Sequence, residues 1–154
     1  MSPILLEMPQ GQTKFHRLVL DYTGTLSMDG ALLPGVGERL LRLSEEITIT
    51  VITADTFGTA RRELEDLPLE VQVIRDGEEK AGVVAIWDPE GVIAIGNGRN
   101  DIPMMENAGL SIAVMGPEGV ASGLLRSADV VTRDINDALD LILHPLRLKA
   151  TLRD

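Results

Sequence analysis

The chain has 154 residues, 44% of them apolar, 25% charged and only four aromatic (two Phe, one Tyr, one Trp), which fits one globular domain over residues 1–154 with an aliphatic core. The absence of cysteine excludes disulfides and thiolate metal sites, and a net charge of −10 opposes broad binding to nucleic-acid phosphates. No apolar run approaches the roughly 18 residues of a membrane span and the first residues lack the basic region of a signal peptide, so a cytoplasmic protein with neither nucleic-acid nor membrane partners is expected.

Residues 3–8 and 13–20 flank Pro9-Gln10-Gly11-Gln12. This predicts an N-terminal β-hairpin whose second arm runs on into a strand ending Leu18-Val19-Leu20. Asp21-Tyr22-Thr23-Gly24-Thr25-Leu26 follows directly. Residues 27–33 are too few for a cap domain but can form a flap hairpin. Residues 35–46 carry Val36, Leu40, Leu41 and Leu43 at helical spacing, with Pro34 near the start. Residues 47–53 read as a β-branched strand. A helix is expected over 56–67, with Asp55 or Thr56 as its N-cap and Pro68 beyond its end.

A short strand at 71–74 and a short helix at 78–87 come next, closed by Asp88-Pro89-Glu90-Gly91. The run at 92–95 is a continuously apolar strand. Residues 101–108 read as a helix capped by Gly109. Strands at 111–114 and 129–132 bracket a helix at 117–126, and a last helix covers 134–143 before Pro145. Residues 146–154, with Arg147, Lys149 and Arg153, are either a docked extension or a frayed tail.

Strands alternate with helices six times, and most of the strands are apolar without alternation, as expected where both faces are covered. The fold class is α/β, a doubly wound parallel sheet with an N-terminal hairpin and no cap.

Four polar signals fall at strand ends or helix starts on one rim of such a sheet. These are Asp21 with its Thr/Gly loop, Thr53 at the end of the second strand, Lys80 in the short helix, and Gly96-Asn97-Gly98-Arg99-Asn100-Asp101. That rim is where open α/β sheets bind ligands. An Asp there can attack phosphorus, loop amides from Thr23 to Leu26 can hold phosphate oxygens, and a Lys can balance charge. Lys80 is the one lysine between Lys14 and Lys149.

This set resembles the haloacid dehalogenase (HAD) superfamily of aspartate-nucleophile phosphatases. Asp21-Tyr22-Thr23-Gly24-Thr25 and Asn100-Asp101-Ile102-Pro103 are similar to the phosphorylation domain of P-type ATPases. Nearly the whole chain, including Thr53-Ala54-Asp55-Thr56-Phe57-Gly58, resembles the small soluble P-type ATPase-like family. The resemblance implies a Mg²⁺-dependent phosphohydrolase acting on a phosphorylated substrate. It makes Asp21 the nucleophile, with Thr23, Thr53 and Lys80 as further catalytic residues. Gly24, Thr25, Thr53, Ala54, Lys80 and Asn100 would bind phosphate. Asp21, the Thr23 carbonyl, Asn97 and Asp101 would hold or orient the metal.

Two positions depart from the family pattern. Thr23 replaces the second Asp that normally moves protons, and a hydroxyl is a poor proton carrier near neutral pH. Asn97 replaces a metal-binding Asp and offers only a neutral oxygen. The expected consequences are weak Mg²⁺ binding, slow turnover, or a regulatory binding module that keeps the fold without hydrolysis. Without a cap, the open site suits a large substrate, or a small one enclosed by a neighbouring copy in a homo-oligomer.

Overall fold

The computed structural model describes residues 3–154. Strands β1 (Ile4–Met8) and β2 (Gly11–Phe15) form an antiparallel hairpin with Ile4 opposite Phe15. The alternating burial of β1 puts Ile4, Leu6 and Met8 into the core. The predicted continuous second arm breaks at His16. The His16 N–H donates to the Gly91 carbonyl at 2.8 Å, and its own carbonyl accepts from Thr48 N–H at 3.2 Å. Those bonds lead the chain from the hairpin into a different sheet.

That second sheet has six parallel strands. They are β3 (Arg17–Leu20), β6 (Thr48–Thr53), β7 (Glu70–Val73), β8 (Val92–Gly96), β9 (Leu110–Val114) and β10 (Val130–Thr132). Their order is β10-β9-β8-β3-β6-β7. The chain winds outward from β3 in one direction and then returns to its other side through β8. The two directions diverge between β3 and β8, the crevice where such sheets bind ligands.

Side chains of β3 and β8 alternate between two cores. Leu18, Leu20, Ile93 and Ile95 pack with α1 (Val36–Ser44), α6 (Ile135–Leu143) and α7 (Pro145–Leu152). Val19, Val92 and Ala94 pack with α3 (Gly77–Ala85), α4 (Ile102–Asn107) and α5 (Leu124–Ser127). Both faces are covered, which explains the unbroken apolar runs. The C-terminal stretch is a docked helix with Leu148 buried. A small hairpin of β4 (Ser27–Met28) and β5 (Ala31–Leu32) forms the flap after the Asp21 loop.

Two predicted helices are much shorter than expected. Only α2 (Ala60–Glu63) is helical in the 56–67 stretch. Asp55 and Gly58 hold left-handed φ values of 53° and 69°, so the chain turns before the helix starts. The Asp55 carboxylate still serves that helix, accepting from the Thr59 and Ala60 amides at 3.1 Å each. In the 117–126 stretch only α5 is helical, because Ala121 N–H is spent on the Asn97 carbonyl at 2.8 Å.

Gly109 does not end α4 as a left-handed cap; Ala108 does so in extended conformation. Its N–H instead donates to the Pro89 and Val92 carbonyls, and a Cβ at this position would collide with the Glu90 carbonyl oxygen. Glycine is required there by close backbone approach.

Candidate active site

Asp21 lies one residue beyond β3, and its N–H donates to the Ile95 carbonyl on β8 at 3.1 Å. It therefore stands at the divergence of the two strands, 5% exposed. The loop after β8 folds in beside it. Helix α3 begins with Asp76 capping the Glu79 amide at 3.0 Å, and one residue further on it delivers Lys80.

Lys80 is wholly buried. Its Nζ is 2.6 Å from Asp101 Oδ1, 3.1 Å from Asp21 Oδ1 and 3.3 Å from Asn100 Oδ1. The other Asp101 oxygen, Oδ2, accepts from the amides of Asn97 at 3.2 Å and Gly98 at 3.0 Å. Asp101 thus folds its own loop while anchoring the lysine. Gly96 admits this carboxylate, since a Cβ there would strike it.

The electrostatics follow from burial. Two carboxylates face one ammonium, leaving one uncompensated negative charge in a desolvated cluster. Burial, followed by repulsion from Asp101, pushes the Asp21 pKa up to about 7 against the pull of Lys80 and of the Tyr22 backbone. For Lys80, burial acts to lower the pKa, but Asp101 and Asp21 together outweigh it and raise the value, so the amine stays charged.

A cavity of about 400 Å³ opens above the cluster, lined in part by Asp21, Thr23, Thr53, Ala54, Asn97 and Asn100. Lys80 and Asp101 do not line it; they are buried behind Asp21 and Asn100, which do. Thr53 Oγ1 accepts from Asp55 N–H at 2.9 Å, which leaves its hydroxyl hydrogen free for another partner. Thr23 Oγ1 is buried without a partner. Asn97 has both ends of its side chain engaged: Oδ1 accepts from Thr25 Oγ1 and Nδ2 donates to the Gly119 carbonyl, each at 3.0 Å.

The residues singled out in the sequence therefore gather at one place. Thr56, Gly98, Arg99 and Glu118 also line the cavity. Arg99, solvent-exposed as its loop position suggests, borders it as well. Glu118 lies in a stretch read as helix, and its sequence carries no signal of this position. Tyr22, between Asp21 and Thr23, also has a structural role: its hydroxyl donates to the Gly30 carbonyl of the flap at 2.8 Å.

The oxygens present suit a hard divalent cation. Asp21 and Thr23 both bring oxygen-bearing groups to the cavity, and the two carboxylates of the cluster outnumber its one ammonium. Among the described residues no group of three or more His, Cys, Asp or Glu side chains gathers for a metal.

Residues 85–139 match the model of the haloacid dehalogenase-like hydrolase family. The match takes in the Gly96–Asp101 loop. The family model thus matches the β8-to-α6 part of the chain, and the parallel six-stranded sheet with Asp21 between β3 and β8 is in keeping with that match. It is 57% identical over 63 residues to an uncharacterized protein of Methanocaldococcus jannaschii, MJ0073, a stretch covering 41% of this chain and 68% of that protein.

The fold is shared with solved phosphatases. A cobalt-bound deoxy-D-mannose-octulosonate 8-phosphate phosphatase of Haemophilus influenzae aligns with a TM-score of 0.72 at 16% identity, over 84% of this chain and 85% of that one. A 3-deoxy-D-manno-octulosonate 8-phosphate phosphatase of Moraxella catarrhalis, solved with magnesium, phosphate and its sugar acid, aligns at 0.69 with 20% identity, over 89% and 92%. At these identities the likeness is one of fold. No described helix is long and apolar enough to cross a membrane.

Proposed function

We propose that the protein is a Mg²⁺-dependent phosphohydrolase that works through an aspartyl phosphate on Asp21. The observation that carries this reading is the contact of Asp21 with Lys80 at the edge of the cavity, 3.1 Å between Oδ1 and Nζ. The motifs around Asp21 and Asp101 favour the soluble P-type ATPase-like branch of the superfamily.

In this reading an ester phosphate enters with its oxygens toward Thr53 Oγ1 and the amides of Gly24 and Ala54; the Thr25 amide, expected to join them, is instead spent on the Tyr22 carbonyl at 3.2 Å. Asn100 supports the same group from the opposite loop. The Asp21 oxygen not held by Lys80 attacks phosphorus in line, and the bond to the leaving oxygen breaks. Lys80 holds the carboxylate in place and offsets charge on the transferring group. Water then attacks the phosphorus of the acyl phosphate, releasing inorganic phosphate and restoring Asp21. Asp21 and the Thr23 carbonyl would hold Mg²⁺, with Asp101 fixing the loop behind, and the cation would supply charge neutralisation for the phosphoryl oxygens.

Thr23 sets the tempo. It stands where an acid would protonate the leaving oxygen and later deprotonate water. With a hydroxyl there, the leaving group takes its proton from solvent and the phosphoenzyme is long-lived. The same feature favours a second reading, a phosphate-binding regulatory module without turnover. Incubation with p-nitrophenyl phosphate or acetyl phosphate and Mg²⁺ separates the two. Phosphate release or a trapped phosphoenzyme in the wild type, absent in Asp21→Asn, is expected. Equal inertness of both proteins, with no beryllofluoride adduct, would leave only the binding module.

A further inference from the structure

We infer that Asn97 is a positioning residue: its carboxamide clamps the 115–123 segment onto the Asp21 loop and so places Glu118 at the mouth of the cavity. Four hydrogen bonds meet at this residue. Thr25 Oγ1 donates to Oδ1 at 3.0 Å, and Nδ2 donates to the Gly119 carbonyl at 3.0 Å. The backbone carbonyl accepts from Ala121 N–H at 2.8 Å, and the backbone N–H donates to Asp101 Oδ2 at 3.2 Å. Gly24 packs against the carboxamide so closely that a Cβ there would strike Nδ2.

Chemistry fixes the amide's orientation. The Gly119 carbonyl can only accept, so it must face the nitrogen, and the Thr25 hydroxyl is left to the oxygen. A carboxylate of the same shape cannot do this. It would press a charged oxygen on a carbonyl oxygen and leave the Gly119 carbonyl without a donor. It would also add a second surplus negative charge to a cluster that already carries one. Asparagine at this position thus answers to the Gly119 contact.

The clamp closes a ring of contacts around the cavity. Glu118, next to Gly119, accepts from the Asp29 N–H at the flap tip at 2.8 Å. The flap returns to the Asp21 loop through the Tyr22 hydroxyl on Gly30. Loss of the Asn97 clamp frees Glu118, a cavity-lining residue, and with it the flap tip. Asn97 therefore acts on how firmly a ligand is held, through the Glu118 wall. Only this last step rests on the phosphohydrolase reading.

Amide hydrogen exchange on metal-free, phosphate-free protein tests the clamp. In Asn97→Asp the Ala121 and Asp29 amides should exchange at least ten-fold faster than in wild type, whereas Glu118→Gln should free Asp29 alone. Thr25→Val, which releases only the carbonyl end of the carboxamide, should speed both amides three-fold or more, and it decides the matter if Asn97→Asp does not fold. Unchanged exchange at both amides, with Mg²⁺ binding ten-fold tighter by calorimetry in Asn97→Asp, would overturn the clamp in favour of a metal-ligand position. Faster exchange at Ala121 without Asp29 would overturn the link to Glu118. With p-nitrophenyl phosphate at saturating Mg²⁺, Asn97→Asp should raise KM at least five-fold and lower kcat by less; a fall in kcat at constant KM would overturn positioning. A wild type without turnover sinks the phosphohydrolase reading, and the exchange pattern then decides the clamp by itself.

Discussion

Lys80 Nζ and Asp101 Oδ1 lie 2.6 Å apart with neither side chain exposed to solvent. The pair is buried behind Asp21 and Asn100, so its first role is to hold the Gly96–Asp101 loop against α3 and to aim one ammonium at Asp21. Breaking a buried pair from one side leaves an uncompensated charge, which costs about 3–5 kcal/mol.

Lys80→Met should therefore lower the unfolding free energy by about that amount in urea titrations. Adding Asp101→Asn to Lys80→Met should recover part of the loss, because it removes the stranded charge. A double variant less stable than Lys80→Met would show that the Asp101 contacts to the loop amides outweigh the ion pair.

Asp21 predicts a pH dependence in the metal-free protein. Its pKa is about 7 in the fold against an ordinary 3.8, so the folded state binds the extra proton between those values. Stability then falls as pH rises through this window, by a few kcal/mol in total, and is flat above it. Asp21→Asn removes the titration. The wild-type minus Asp21→Asn difference in unfolding free energy should thus decline from pH 4 to pH 7, and Mg²⁺ at pH 8 should restore the wild type alone. A difference that does not vary with pH would show that Asp21 stays ionised throughout.

Thr23→Asp places a proton-carrying group two residues from the nucleophile, where the cavity already has an unpartnered hydroxyl. General acid–base catalysis contributes about 10²–10⁴-fold where it acts. Breakdown of the phosphoenzyme, followed by quench and isotope release, should quicken at least ten-fold. An unchanged rate would assign water activation to another group.

Gly109→Ala tests the close approach of the chain to the Glu90 carbonyl. The added methyl would meet the Glu90 backbone and, less closely, the buried Phe15 ring, so a loss of about 1–3 kcal/mol is expected by thermal or urea unfolding. A neutral substitution would mean that the 89–91 turn can move aside.

The chain's local chemistry carried much of this in plain view. Leu18-Val19-Leu20 running into Asp21, and 92–95 running into Gly96-Asn97-Gly98, announce buried strands that end in ligand loops. Apolar runs, turn residues and the one mid-chain lysine are short-range signals, readable without neighbours. The doubly wound parallel sheet, the N-terminal hairpin and the gathering of Asp21, Lys80, Asn97, Asn100 and Asp101 all follow from them.

Other features depend on partners remote in sequence. The strand order that sets β3 beside β8 brings Asn97 to Thr25, 72 positions away, and Glu118 to Asp29, 89 positions away. The 117–126 stretch, expected as a helix, gives its Ala121 amide to Asn97, and Asp55 and Gly58 turn the chain where another helix was expected. The complete burial of Lys80 is likewise decided by packing between α3 and the Gly96–Asp101 loop. Local preferences are worth tenths of a kcal/mol per residue, so long-range hydrogen bonds and desolvated charges override them wherever the fold brings such groups together.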